Sequence, residues 1–331
     1  MAKILHDTTK DMENIEYIFD ETIATVEQKA DGKVDVTFAN HLQRTSFDLV
    51  VGADGMMSRT RRYVFGHGPK NDDYLHRLGQ YGAFFAIPRT DDDTNFAQWY
   101  NATRGRLILK RPDQYGTTRV YMAVTDSNFS RFDEIDGILK KRSVQEQKEW
   151  LAKEFEGAGW ISERIIKGMM ECKDFYMQQI AQVKMPEWSK GHVALLGDAA
   201  YCPSPISGVV SNELLRHIYD LTNTTQGAGA AIVGAYVLAG ELSKSPEDIP
   251  SALKRYEART RTFVDQVQKL VPGAPQVANP QTSWGIMLFN KTTGFLSHPA
   301  LRRFGSLVGK FVPAFGGTEW NIPEYGVASK A

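Results

Sequence analysis

Hydrophobic positions along the chain follow two rhythms. In residues 16–26 and 32–39 apolar and polar residues alternate, the period of a half-buried strand. Val34, Val36 and Phe38 share one face, Lys33, Asp35 and Thr37 the other, and the Ala30-Asp31-Gly32 turn suits a hairpin. Four more strands are predicted at 82–87, 96–100, 106–110 and 119–124, split by Pro, Gly and Asp turns. The helical rhythm appears at 143–155, with Val144, Trp150, Leu151 and Phe155 inward, Ser143 as N-cap and Glu146 closing a capping box. It returns in a short helix at 160–171 and a long charged one at 250–270. The latter has Leu253, Tyr256, Phe263, Val264, Val267 and Leu270 inward. Residues 2–10 read as the end of a helix and 175–180 as a strand. The Pro- and Gly-punctuated tail holds short helices at 284–290 and 299–311. Arg302, Arg303 and Lys310 make the last one basic and amphipathic, and packing against the body is its expected role.

Two apolar runs break these rhythms by ending in an acid. Residues 48–51 lead into Gly52-Ala53-Asp54-Gly55, and residues 192–196 lead into Gly197-Asp198-Ala199-Ala200. After the first, Ser58 is placed to cap a helical turn and Arg61 to face back toward Asp54. After the second come a turn-rich stretch, Cys202 to Gly208, and a small-residue helix from Gly227. A strand that delivers a carboxylate, a Gly/Pro loop and a helix N-terminus together form the recipe for a nucleotide cofactor site.

Composition narrows the function classes. The chain has 331 residues, 42% apolar and 24% charged, enough for a large core. Lys+Arg equals Asp+Glu at 39 each, so there is no electrostatic footprint for nucleic acid. The two cysteines, Cys172 and Cys202, stand in no metal-ligand spacing and form no disulfide framework. No apolar run is long enough to span a bilayer, and no signal peptide opens the chain, so the cytoplasm is the expected compartment. Aromatics gather between Tyr81 and Tyr121 (Tyr81, Phe84, Phe85, Trp99, Tyr100, Tyr115, Tyr121), either as sheet core or as the wall of a substrate pocket. His67, His76 and His192 read as structural or surface residues.

The stretch Asp54-Gly55-Met56-Met57-Ser58-Arg59-Thr60-Arg61 resembles the Asp-Gly motif of the group A, aromatic-hydroxylase-like flavoprotein monooxygenases. Gly197-Asp198-Ala199-Ala200, followed by Pro205 and Gly208, resembles that family's second flavin motif. The order, the spacing and the strand-rich segment between the motifs also agree, and the resemblance covers roughly residues 1–270. It implies an α/β fold: an FAD/NAD(P)-binding Rossmann-like domain with a strand-rich (α+β) substrate domain. The implied division is 1–75, remainder of the FAD-binding domain; 76–185, substrate-binding sheet; 186–270, return of the FAD-binding domain; and 271–331, C-terminal tail.

The resemblance also implies roles. Asp198, with Gly197 and Ala199, would accept hydrogen bonds from the ribityl hydroxyls of FAD. Pro205, Gly208 and Val209 would let backbone approach the isoalloxazine, and the helix from Gly227 would aim its positive end at the ring. Asp54, Gly55 and Arg61 would sit near the flavin and the NADH or NADPH path. The family often has His after the Ala-Ala pair; this chain has Tyr201. The implied reaction reduces FAD with NAD(P)H and transfers oxygen from O2 to a small-molecule substrate, aromatic or polyketide-like, by hydroxylation or epoxidation in secondary metabolism. Another flavin oxidoreductase of this fold, a reductase or halogenase, and a non-catalytic binding remnant are the alternatives.

Two features depart from the family. The βαβ unit bearing Gly-x-Gly-x-x-Gly is expected to be missing, about a hundred residues on the usual size of such a half. Removing residues 210–226 joins Pro205-Ile206-Ser207-Gly208-Val209 to Gly227-Ala228-Gly229 and restores the family's loop. Val210-Ser211, Leu221-Thr222 and Gln226 can be encoded by donor, branch-point and acceptor sequences, so a retained intron is expected there, with a genuine lid loop as the alternative.

Overall fold

The computed structural model describes residues 2–70, 72–205, 226–270, 273–296 and 320–326. Gly208, Val209, residues 210–225 and the helix expected at 299–311 lie outside them. In chain order the elements begin with α1 (Ala2–Thr9), β1 (Ile23–Gln28), β2 (Val34–Phe38), β3 (Thr45–Phe47), β4 (Val50–Gly52) and α2 (Arg59–Phe65). Next come β5 (Leu75–Pro88), β6 (Gln98–Ala102), β7 (Arg106–Pro112), β8 (Thr117–Thr125), α3 (Asp133–Lys141), α4 (Val144–Phe155), α5 (Ser162–Glu171) and β9 (Tyr176–Val183). The chain continues with β10 (Ser189–Lys190), β11 (Val193–Leu195), α6 (Asp198–Tyr201), α7 (Gln226–Lys244), α8 (Ile249–Val267) and α9 (Ser283–Leu296). The chain divides into one unit of residues 1–74, 185–200 and 234–260, and a second of 75–184, 201–233 and 261–331.

In the first unit, β1, β2 and β3 form an antiparallel sheet and β10, β11 and β4 a second sheet with β4 at its edge. The expected hairpin is present, but its first strand begins at Ile23 rather than at residue 16; the residues before it are mostly exposed and unpaired with a strand. Val34 and Val36 pack with Val50 and Val193, which joins the two sheets through one apolar cluster. Asp35 is also buried, against the alternation, because Lys29, Arg44 and Ser46 satisfy its carboxylate. The Tyr256 hydroxyl donates to the Leu195 carbonyl at 3.1 Å and ties α8 to β11. Glu241 on α7, 1% exposed, meets Arg255 at 2.8 Å and Arg259 at 2.7 Å, so α7 and α8 are held by a shielded carboxylate between two guanidinia.

The second unit is a five-stranded antiparallel sheet in the order β6-β7-β8-β5-β9, with α3, α4 and α5 packed on one face. Side chains alternate between the faces. Tyr81, Phe85, Met122 and Val124 meet Phe132 and Ile135 of the α3 region, Trp150 and Leu151 of α4, and Ile165 of α5. The Ser143 cap of α4 forms as expected, its hydroxyl accepting from the Glu146 amide. Val144 was expected inward but is exposed, because the first helical position points away from the sheet. Helix α3 was not anticipated; only Ile135, Ile138 and Leu139 mark its apolar face. Asp93, buried between Lys110 of β7 and Arg164 of α5, pins that helix to the sheet, and the paired Arg164 holds its carboxyl far below the usual range.

Candidate active site

The two acid-bearing strand ends, far apart in sequence, are neighbours in space. β4 and β11 run parallel, with Val50 opposite Val193 and Gly52 opposite Leu195, and the Leu196 amide donates to the Gly52 carbonyl at 2.9 Å. Both strands therefore open at the same edge of one sheet, the arrangement in which open α/β sheets bind ligands. Gly52 is required by packing: a Cβ there would lie 2.7 Å from Thr60 Cγ2 and 3.0 Å from Leu195 Cδ2. Gly55 and Gly197 both turn the chain with positive φ, +78° and +61°.

Ser58, Asp54, Thr60 and Arg61, which follow the first strand, form one hydrogen-bonded group. Ser58 caps α2, its hydroxyl accepting from the Arg61 amide at 2.9 Å. The Asp54 carboxylate accepts from Ser58 Oγ at 2.5 Å, Arg59 N at 2.8 Å, Thr60 N at 3.0 Å and Thr60 Oγ1 at 3.1 Å. Partial burial raises its pKa, but the hydrogen bonds from Ser58 and Thr60 outweigh that and hold the carboxyl below its usual range. The expected approach of Arg61 to Asp54 is corrected here. Arg61 is fully buried, and its guanidinium donates to the Ala199 carbonyl at 2.7 Å and to the Met56 carbonyl at 2.7 Å. The helix start already satisfies Asp54, so Arg61 turns instead to main-chain acceptors and clamps the Asp-Gly turn to the Gly-Asp turn. Asp198 stands exposed at the start of α6, between the buried Gly197 and Ala199.

The second unit carries a cavity of about 610 Å³ on the sheet face opposite the helices. Register explains its wall. Trp99 pairs with Leu109, Leu109 with Tyr121, Tyr121 with Phe84 and Phe84 with Tyr176, so one apolar rung crosses all five strands. Tyr121 stacks on Phe84 with ring centroids 4.7 Å apart. Of the aromatics expected as either core or pocket, Phe84, Phe85, Trp99 and Tyr121 line the cavity. Tyr81 packs against Phe132 in the core, Tyr100 leans on Trp160, and Tyr115 is exposed in a turn. Pro205, from the second motif, also lines this cavity, as do Pro275, Ala278 and Asn279, whose contribution the sequence did not announce. Gly227 lies in the first turn of α7.

No family model matches the chain. Individual proteins do. Flavin-dependent monooxygenase eupH of Phoma sp is 31% identical over 98% of this chain and 73% of its own length. Monooxygenase CTB7 of Cercospora beticola is 33% identical over 87% of the chain and 65% of its length. The crystal structure of the tetracycline destructase Tet(51) superposes with a TM-score of 0.67 at 27% identity, covering 98% of this chain and 74% of that one. The fold is the α/β fold that this structure and solved FAD-complexed proteins share. The chain belongs to the flavin-dependent monooxygenases, and FAD is the flavin with which proteins of this fold are found. It spans between about two thirds and three quarters of the length of these two fungal relatives.

The residues present fit the flavin side of FAD. Asp198 offers an exposed, acceptor-only carboxylate beside a glycine turn. A Cβ at Gly55 would meet nothing within 4 Å, which leaves open space beside the turn. Among the described residues no group of acidic, His or Cys side chains could hold a metal, and no described helix is long and apolar enough to cross a membrane.

Proposed function

We propose that this chain is the flavin-facing and substrate-facing part of an FAD-dependent monooxygenase that uses NADH or NADPH and O2. Its substrate is a small, flat aromatic or polyketide-like molecule. The observation that carries the reading is the parallel pairing of β4 with β11, tied by Arg61 to the Ala199 carbonyl. When bound, FAD supplies the electron transfer from NAD(P)H and the oxygen transfer to substrate. The chain's own residues position it. Asp198 accepts from the ribityl hydroxyls beside Gly197 and Ala199, and the Gly55 turn leaves the approach clear. Asp54 and Arg61 act one step back, by fixing the α2 start and the two turns. The ring-edge roles of Pro205, Gly208, Val209 and Gly227 rest on the motif resemblance. The apolar wall formed by Trp99, Tyr121 and Phe84 excludes water from the substrate. β4 is an edge strand with Val51 exposed, and we assign that edge to the parallel strand of an ADP-binding unit.

The test is flavin retention and turnover. Adding an upstream Gly-x-Gly-x-x-Gly unit and deleting residues 210–226 should give a yellow protein that oxidises NADH or NADPH and places an atom of labelled O2 in product without halide. A repaired protein that stays colourless would overturn the flavin reading. Transcripts that never join Val209 to Gly227 would overturn the intron.

A further inference from the structure

The cavity holds a line of buried polar side chains that the motif roles do not use. At one end, Trp99 Nε1 donates to Asn101 Oδ1 at 2.8 Å. Asn101 Nδ2 donates to Asn279 Oδ1 at 3.0 Å, and Asn279 Nδ2 lies 2.8 Å from Thr125 Oγ1 and 2.7 Å from the Gly105 carbonyl. Gln80 follows, 2.8 Å from Thr125 Oγ1 through Nε2 and 3.1 Å from the Tyr121 hydroxyl through Oε1. Gln80, Thr125 and Asn279 are at most 2% exposed. Trp99, Gln80, Tyr121 and Asn279 line the cavity.

The line has a direction. An indole N–H can only donate, so Asn101 must turn its oxygen to Trp99 and its nitrogen to Asn279. Asn279 must then turn its nitrogen to Thr125, which the acceptor-only Gly105 carbonyl also demands. The Thr125 hydroxyl thus receives one hydrogen and must place its own. With the Gln80 nitrogen toward it, that hydroxyl receives a second hydrogen, and its own has no acceptor among the described residues. The two ends of an amide have nearly the same shape, so the partners decide its orientation. Turned end for end, the Gln80 oxygen accepts from Thr125 and its nitrogen donates to the Tyr121 oxygen. Each contact from Trp99 to Tyr121 then joins a donor to an acceptor, and the Tyr121 proton is left for the cavity.

We propose that Tyr121 is the hydrogen-bond donor of this cavity. The relay through Asn101, Asn279, Thr125 and Gln80 holds it ready for a carbonyl oxygen on a flat, conjugated ligand. This rests on the cavity being the substrate site. Two further observations support it. Gly82 leaves the room in which the tyrosine leans: a Cβ there would lie 2.5 Å from Tyr121 Cε2 and 2.8 Å from its hydroxyl oxygen. Burial pushes the phenol above its usual range, so the proton is present to donate. The stacked Phe84 and the Trp99 face, whose N–H is already committed, take the flat body of the ligand.

A matched pair of probes tests this: fluorenone, which carries one carbonyl, and fluorene, which has a methylene in its place. Binding to the full 331-residue chain, followed by calorimetry, should favour fluorenone about tenfold, the value of one net hydrogen bond. Tyr121→Phe should bring the ratio to about one with fluorene binding unchanged. Asn101→Leu touches no ligand, and Trp99→Phe keeps an aromatic face, so neither should act on the carbonyl directly. Both should lower the ratio, whereas a merely structural role would weaken both probes alike. A tenfold preference that survives Tyr121→Phe overturns the donor. A preference that survives both relay variants overturns the relay. If neither probe binds, the cavity is not a ligand site and this assignment falls with it; flavin retention, read separately by absorbance, tells that outcome from failure of the monooxygenase reading.

Discussion

The strand-end site of the first unit and the cavity face of the second spend their polar groups differently. Around Asp54 and Arg61, charged side chains are used largely on the chain itself: a carboxylate on the first amides of α2, a guanidinium on two carbonyls. On the cavity face, side chains bond to side chains, from Trp99 to Tyr121, and the line ends at the cavity. The first arrangement sets where backbone turns lie, and any ligand meets the result. The second arrangement presents a chemical group whose polarity depends on residues that never reach the ligand. Mutations should therefore act on stability and flavin retention in one region and on selectivity in the other.

Arg61→Met should break the first region most severely. It leaves the Ala199 and Met56 carbonyls without their charged donor, and a loss of about 3 kcal/mol is expected in urea unfolding, on the scale of hydrogen bonds to charged groups. Flavin retention should fall with it, while the fluorenone-to-fluorene ratio in the second unit holds. Gly82→Ala comes next. The added methyl meets the Tyr121 ring, so roughly 1–3 kcal/mol of overpacking is expected together with loss of the carbonyl preference. Preference retained in that variant would show that the tyrosine does not need the space over Gly82.

Asp54→Ala should cost about 1 kcal/mol, the usual value of a lost helix cap. Its folded pKa is depressed, so its contribution is fully present above the unfolded value, near pH 4, and is lost as pH falls through the folded value. Unfolding curves of wild type and variant should converge in acid, and a gap that persists at low pH would contradict that role. Tyr121→Phe should be the mildest for stability, within about 1 kcal/mol, because the ring and its stack on Phe84 remain. Its effect should appear in the probe ratio alone, which makes it the sharpest separation of the two regions.

The same contrast explains what the sequence disclosed. Both acid-bearing runs were visible because each is a short apolar stretch with its acid and glycine in adjacent positions. Their parallel pairing in space, β4 against β11, was not read from the sequence and comes from the register of the folded sheet. The target of Arg61 was not visible: Asp54 lies nearby in sequence, but the Ala199 carbonyl is brought close only by the parallel register. The strands of the second unit were visible from their alternation, though the faces were not. Tyr81 and Tyr121 look alike on paper, yet the register sets Gln80 opposite Thr125, so Tyr81 opposes Val124 and faces the helices. Asn279 carried no signal at all. It is a single amide in an irregular segment, and its partners Gly105, Thr125 and Asn101 lie far upstream.

The division of the chain has a practical consequence. The polypeptide passes from one unit to the other at residues 74, 184, 200, 233 and 260, so neither unit is a continuous piece of sequence. The five strands of the cavity-bearing sheet lie in one continuous stretch, residues 75–183, but Pro205, Pro275, Ala278 and Asn279 of the cavity come from later in the chain, so excising that stretch alone would leave the cavity without part of its wall.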